Sequence, residues 1–417
     1  MIVQMRREAA VQQSPGRKPI SAKITVDFLA RFAHSDLNSM EVAMSKDEEP
    51  ELNADSDFEY LLTFLPPEWD QMAKKLGALR RCRKFDDAKV LLRILLMHLA
   101  EGCSLRETAV RARQGKLADV SDVAIMDRLR QAEEWFRWMN IKLMKHWITR
   151  HPRAVFGEGW NVRIVDGTQV KEPGPTGSSW RIHYAVGLPS LRCAAVEVTD
   201  SEGQGNGETF ARFAVAAGDL FIGDRAYGLT GGIAHVIKGG GDVLVRFGWN
   251  NLPLWSSQTK RFDLFRHLHK LRGTAVGDWP ASIRDHNRLM PGRVCAIKKS
   301  RQAAEKARKA VLRKAQKNSA QILPETLDAA SYVFVFTSIP SGKLAPAHVL
   351  EFYRGRWQVE LVFKRLKSLM AFGHLRKRDD QSAKAWIQGK LFVAFLLEAL
   401  LRQGESFFPW GYPILSD

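Results

Sequence analysis

Over residues 58–148 apolar positions recur three and four apart, with Val90, Leu91 and Leu92 followed by Ile94, Leu95 and Leu96. A helix shows that period to a core, so several packed helices are expected. Ser104 followed by Glu107 has the spacing of a capping box, which satisfies the free N–H groups of a helix start. After Trp160 the period shortens. Residues 162–165, 181–186 and 193–198 are rich in β-branched and aromatic side chains and are separated by Gly, Pro and Ser, which predicts three successive strands. A helix is expected over residues 208–217, then a fully buried strand at Leu220, Phe221 and Ile222, a helix near Ile233 and a strand over 243–247. A long stretch with an apolar strand at 332–339 precedes an amphipathic helix over 350–370, and an apolar helix follows at 386–401.

The order β-β-β-α-β-α-β is that of ribonuclease-H-like domains, in which a mixed sheet is covered by helices. The expected class is therefore α/β (mixed α+β), with a helical domain in front and a β-rich insertion before the closing helix. The boundaries expected are a loosely ordered arm over 1–55, a helical domain over 56–150, a catalytic domain over 158–249 and 345–380, an insertion over 250–344, and a C-terminal helix over 381–417 that offers an oligomer contact.

Charge narrows the choice of partner. Among 417 residues, 63 Lys and Arg against 45 Asp and Glu leave a net charge of +18, and a polyanion, nucleic acid first, is the simplest explanation. The apolar segment at 386–401 is broken by Lys390 and Glu398, so it predicts a buried helix and no membrane span. The first residues carry arginines but no apolar core of signal-peptide length, so an intracellular, cytoplasmic and nucleoid-associated protein is expected. Cys82, Cys103, Cys193 and Cys295 lie far apart, which argues against a zinc site or a disulfide framework and for buried thiols. Residues 104–138 have the pattern of a helix-turn-helix with Gly115 in the turn and Arg106, Arg111, Arg113, Arg128 and Arg130 available for phosphates; a plain helical bundle fits the same pattern.

The candidate chemistry lies at strand ends. Asp166 follows the first strand in Val-Asp-Gly-Thr, and Asp224 follows the buried fourth strand in Gly-Asp-Arg-Ala-Tyr. If those strands are parallel neighbours the two carboxylates emerge side by side and repel unless a cation bridges them; oxygen donors of this kind suit magnesium or manganese. Taken singly, each could equally be an aspartate that caps a turn. Tyr353, Arg356, Glu360 and Lys367 are spaced to fall on one stripe of a helix, with Lys364 beside it and Phe352, Val359, Val362, Leu366 and Leu369 opposite. A solvated charged face is the plain alternative. Residues 298–317 hold nine basic residues and one acidic one, as an exposed basic helix would.

Tyr353-x2-Arg356-x3-Glu360-x6-Lys367, preceded by the two aspartate motifs in the same order, resembles the DDE transposases of the insertion-sequence family numbered four, over about residues 160 to 370. The resemblance implies that Asp166, Asp224 and Glu360 are catalytic and hold two metal ions, Mg2+ or Mn2+, in a two-metal in-line reaction. It implies DNA contacts from Tyr353, Arg356, Lys364, Lys367 and Arg225. It further implies double-stranded DNA as partner, both terminal inverted repeats and target, with a homodimer in the synaptic complex, and cut-and-paste transposition by cleavage and strand transfer. A DNA hairpin with a flipped base would need an aromatic residue of the insertion, for which Trp249, Trp255 and Tyr332 are candidates. Two other functions remain open on the residues: a domesticated DNA-binding protein that does not cut, and a stand-alone metal-dependent nuclease.

Overall fold

In a computed structural model the described residues are 54–80, 85, 87–150, 159–172, 179–188, 190–369, 375 and 379–407. The expected arm up to residue 53, Cys82 and residues 376–378 lie outside them. The described chain opens with helices α1 (Ala54–Leu62), α2 (Trp69–Lys75), α3 (Ala88–Leu99), α4 (Leu105–Gln114), α5 (Asp122–Gln131) and α6 (Glu133–Arg150). There follow β1 (Asn161–Lys171), β2 (Ser179–Gly187), β3 (Arg192–Asp200), β4 (Asp219–Gly223), α7 (Thr230–Lys238), β5 (Asp242–Arg246) and β6 (Leu254–Trp255). Then come α8 (Leu264–Leu268), β7 (Val276–Asp285), β8 (Arg288–Lys298), α9 (Arg301–Lys317), α10 (Pro324–Ala329) and β9 (Tyr332–Thr337). Helices α11 (Pro346–Arg354), α12 (Trp357–Leu369) and α13 (Asp380–Phe407) close the described chain.

The described residues form two compact units, one from those within 1–147, 170–178 and 365–417, the other from those within 148–169 and 179–364. In the first, Asp87, Ser104 and Ser121 cap α3, α4 and α5 by accepting the N–H of Val90, Glu107 and Ala124. Helix α13 packs against α3 and α5, burying Trp386, Ile387, Leu391, Phe392, Phe395 and Leu396. The helices approach so closely that a Cβ on Gly389 would stand 2.5 Å from Leu99 Cδ1. The apolar helix expected at 386–401 thus serves this unit's own core. The arginines that a helix-turn-helix would make available for phosphates have partners in this unit. Arg111 meets Glu101 and Glu107 at 2.6 Å each, Arg113 meets Asp119 at 2.7 Å, Arg106 meets Asp122 at 3.5 Å, and Arg130 meets Asp127 at 3.3 Å and Asp379 at 3.0 Å. Arg128 donates to Gln131 at 3.0 Å and lies over Phe85.

The second unit is built on one nine-stranded sheet in the order β3-β2-β1-β4-β5-β9-β8-β7-β6. Strands β1, β4 and β5 are parallel neighbours, β2 and β3 pair antiparallel, and β9 joins β5 antiparallel. The expected mixed sheet forms, and the strands of the insertion extend it without a break. Every residue of β4 is buried, as its unbroken apolar run requires of a central parallel strand. Asp219 at its start is held by Arg163 at 3.1 Å, Asn161 Nδ2 at 2.6 Å and the Ala216 N–H at 2.8 Å.

Two predicted helices change. Over 208–217 only the 3-10 turn Phe210–Arg212 forms. The Asp219 carboxylate takes the Ala216 N–H, in competition with helical bonding, and Phe210 and Phe213 are drawn onto Phe221, with ring centroids at 5.9 and 6.1 Å. The helix expected over 350–370 is two, α11 and α12, joined at Gly355 and Arg356. There the N–H groups of Gly355, Arg356 and Val359 bond to the carbonyls of Phe352, Tyr353 and Arg356, a tightened i to i−3 pattern that fits a poor helix former at the joint. The described cysteines Cys103, Cys193 and Cys295 are buried. Among the described residues no helix is long and apolar enough to cross a membrane.

Candidate active site

On the parallel strands β1 and β4 the last matched pair is Ile164 with Ile222. Asp166 and Asp224 stand two residues beyond, at equivalent positions past that pair, where the period of two would return both side chains to one face. The expectation that Asp166 follows its strand is corrected: it lies inside β1, which continues past the end of its pairing with β4. Asp224 does follow β4, capping the 3-10 turn Arg225–Tyr227 by accepting the Ala226 N–H at 2.9 Å. Asp166 Oδ1 accepts the Gly167 N–H at 2.8 Å, and its Oδ2 faces Arg356 Nη1 at 3.6 Å. Burial pushes the Asp166 carboxyl up to about 6; Asp224 and Glu208 add to the rise, while the Gly167 N–H and Arg356 oppose it.

Arg356 also donates through Nη2 to Glu360 Oε1 at 2.5 Å, so one guanidinium lies between Asp166 and Glu360. Burial works against its charge, yet the Glu360 hydrogen bond, with Tyr353 and Asp166, holds Arg356 above its ordinary value. Glu360 is exposed at the start of α12 while Val359 and Phe363 are buried, Phe363 edge-on to Tyr184 at 5.9 Å. The stripe expected on one helix is divided, Tyr353 on α11 and Glu360, Lys364 and Lys367 on α12, and of the expected back Val359 is buried while Phe352 and Val362 are half-buried. Lys364 and Lys367 are exposed on the same helix; Leu366 and Leu369 have no described side chains. Among the described residues no three His, Cys, Asp or Glu stand close enough, as they are, to enclose a metal ion. Arg356 holds the Glu360 carboxylate instead.

Several groups around these carboxylates escaped the sequence. Glu208 lies over Gly167: a Cβ there would stand 2.7 Å from Glu208 Oε1, so that glycine is what lets the carboxylate in. Burial and then Asp224 raise the Glu208 carboxyl, with Arg181 opposing from 3.8 Å. Tyr227 is fully buried, and burial followed by Asp166, Glu208 and Asp224 pushes its phenol far up. A cationic group sits nearby. Burial and then Arg246 lower Arg225, and burial followed by Arg246 and Arg225 lowers Lys299, as expected when three cations share a small volume. Burial raises Tyr353, with Arg356 and Arg246 opposing. Glu208 carries no motif in sequence beyond a Gly-Glu-Thr run, and Lys299 and Arg246 are far apart along the chain; only the sheet brings them together.

The aromatic candidates of the insertion are occupied. Trp249 donates to Thr326 Oγ1 at 3.2 Å and packs edge-on to Phe265, Tyr332 is buried, and Trp255 carries Arg261 and Arg284 at 4.0 and 3.3 Å from its ring centre. Trp357, beside Arg356, is 42% exposed. Helix α9 buries none of its residues, as its basic composition predicts.

Residues 159–396 match the transposase DDE domain family. The chain is 33% identical over 350 residues to InsL of insertion sequence element IS186A of Escherichia coli K12, covering 82% of this chain and 93% of that protein. It is 32% identical over 351 residues, with the same coverage, to the transposase for insertion sequence element IS421 of Escherichia coli. With the domain matched over more than half of its length and these relatives over most of theirs, the chain belongs to the DDE transposases, enzymes of DNA transposition.

Proposed function

We propose that Asp166, Asp224 and Glu360 hold two divalent cations, magnesium or manganese, against a DNA phosphodiester, for cleavage at the ends of an insertion sequence and strand transfer into target DNA. The observation that carries this is the placement of Asp166 and Asp224, each two residues past the last matched pair of parallel β1 and β4, with burial first and the Asp224 charge after it holding Asp166 at about 6. Hard oxygen donors under such strain fit a hard cation. Bound cations supply the charge that activates the attacking oxygen and stabilises the leaving one. The chain supplies position. In cleavage, a water oxygen forms the new bond to phosphorus and the bond to the 3′ oxygen of the element end breaks. In strand transfer, that 3′ oxygen forms the new bond to a target phosphorus, and a target 3′ oxygen leaves with the proton. Tyr353, Arg225, Arg246, Lys299 and Lys364 surround this place with hydrogen-bond donors and positive charge for the flanking phosphates. Lys367 and α9 are further basic groups proposed to meet the backbone.

Arg356 has two duties. Without DNA it balances Asp166 and Glu360; with DNA a phosphate competes for the same guanidinium and frees Glu360 to join the aspartates. Arg356→Ala is expected to weaken binding to element ends and to lower the slope of log affinity against log salt by about 1, as loss of one phosphate contact does. An unchanged slope removes Arg356 from the DNA interface.

Two protomers on paired inverted repeats, in the cytoplasm at the nucleoid, complete the proposed working form. The direct test incubates purified protein with labelled DNA carrying its own element's inverted repeats, with Mg2+ or Mn2+ and with chelator. Nicking at the element boundary that needs the metal supports the proposal. Binding with no cutting in either metal moves the assignment to a domesticated DNA-binding protein, and cutting without regard to the element ends to a stand-alone nuclease.

A further inference from the structure

We infer that Glu208 is a fourth carboxylate of the cation site, and that the Tyr227 hydroxyl is the buried donor that serves it. Three observations meet here. The first is position: Glu208 Oε1 lies where a side chain on Gly167 would begin, on the residue next to Asp166. The second is a loose counter-charge: Arg181 Nε pairs with Glu208 Oε1 at 3.8 Å, beyond hydrogen-bond distance. The third is independent of the acidic groups. Tyr227 is 0% exposed, its hydroxyl has no hydrogen-bond partner among the described residues, and the carboxylates that act on it are Asp166, Glu208 and Asp224. Buried hydroxyls without partners are rare and mark places where a ligand, ion or ordered water belongs. Phe210 packs on the Tyr227 ring, with centroids at 5.2 Å.

The chemistry follows from the charge count. Asp166 and Asp224 face each other, and Glu360 is held by Arg356 until DNA arrives. Glu208 is a third negative charge beside Asp166; the three carboxylates do not enclose an ion as they stand, and a divalent cation would draw them together before Glu360 is free. The Tyr227 hydroxyl can then donate to whichever carboxylate oxygen the cation leaves uncoordinated. The inference rests on the metal-site reading above.

Its test is metal binding by the full chain without DNA, read as free Mn2+ by electron paramagnetic resonance. Glu208→Gln is expected to weaken Mn2+ binding about tenfold or more, in the range of supporting residues at metal sites, and Tyr227→Phe by a smaller factor. Glu208→Asp, which keeps the charge, should bind more tightly than Glu208→Gln; the reverse order would mean that Glu208 only fills space, and would overturn the inference. Asp224→Asn is the reference. Wild-type affinity in Glu208→Gln with binding lost in Asp224→Asn removes Glu208 while leaving the metal centre intact. Wild-type affinity in both overturns the metal-site reading and this inference with it. Far-UV circular dichroism shows that each variant is folded.

Discussion

Asp224→Asn and Glu360→Gln each lower cleavage at the element ends by about a thousandfold or more, while affinity for the same DNA stays within about twofold. A thousandfold is about 4 kcal/mol of barrier, the scale on which a lost metal ligand is felt. Asp224 is fixed by its bond to the Ala226 N–H, and Glu360 by Arg356, so each amide keeps its place and removes only charge. In the proposed function DNA affinity rests on other groups: the net charge of +18, the cations Arg225, Arg246 and Lys299, and the exposed helix α9. Losing a negative charge beside a phosphate does not weaken that attraction. Gel-shift and nicking assays on one DNA preparation separate the two effects. Reduced binding with normal cutting per bound complex would show that these carboxylates organise the DNA surface and do no chemistry.

The parts of the fold visible in the sequence are those set by local pattern. Leu220, Phe221 and Ile222 announce a strand buried on both faces, and that alone places Asp224 at its end. The apolar run at 386–401 gives α13, because a helix buried nearly all round is apolar nearly all round. What failed was decided at a distance. The helix expected after Glu208 gives way to a 3-10 turn because Asp219 captures the Ala216 N–H and Phe221 gathers two phenylalanines. Neither competitor is visible in a helical count of that window. The break at Gly355 is a small local weakness whose outcome depends on Arg356 reaching both Asp166 and Glu360.

The candidate site divides the same way. Residues in compact motifs, Asp166, Asp224, Tyr353, Arg356 and Glu360, could be named because their spacing carries the pattern. Glu208, Arg246 and Lys299 could not, since they come from a loop before β4, the end of β5 and the residue after β8, and are neighbours only through strand order. The insertion is the clearest case. Its strands look like a separate module in sequence, yet β9 pairs with β5, and β8, β7 and β6 continue the same sheet. Edge pairing between distant strands leaves no periodicity to read.

Asp166→Asn should make the metal-free protein more stable at neutral pH while destroying its activity. In the folded chain burial holds this carboxyl at about 6, against 3.8 for the ordinary group. Between those values the folded state binds more protons than the unfolded one, so stability falls as pH rises from about 4 to 6 and stays lower above it. The gap corresponds to about 3 kcal/mol at neutral pH, an order-of-magnitude figure. Asparagine carries no charge to desolvate or to repel Asp224, and its amide oxygen still accepts the Gly167 N–H. The unfolding temperature at pH 7 without metal is therefore expected to rise by several degrees. The difference from wild type should shrink as pH falls toward 4, where Asp166 is protonated in the folded chain as well. Adding Mn2+ should raise the unfolding temperature of the wild type and not of the variant, because the charge that costs stability alone is the charge a cation binds. A variant less stable than wild type at pH 7 would mean that the ion pair with Arg356 outweighs burial, and that Asp166 serves the fold before it serves a metal.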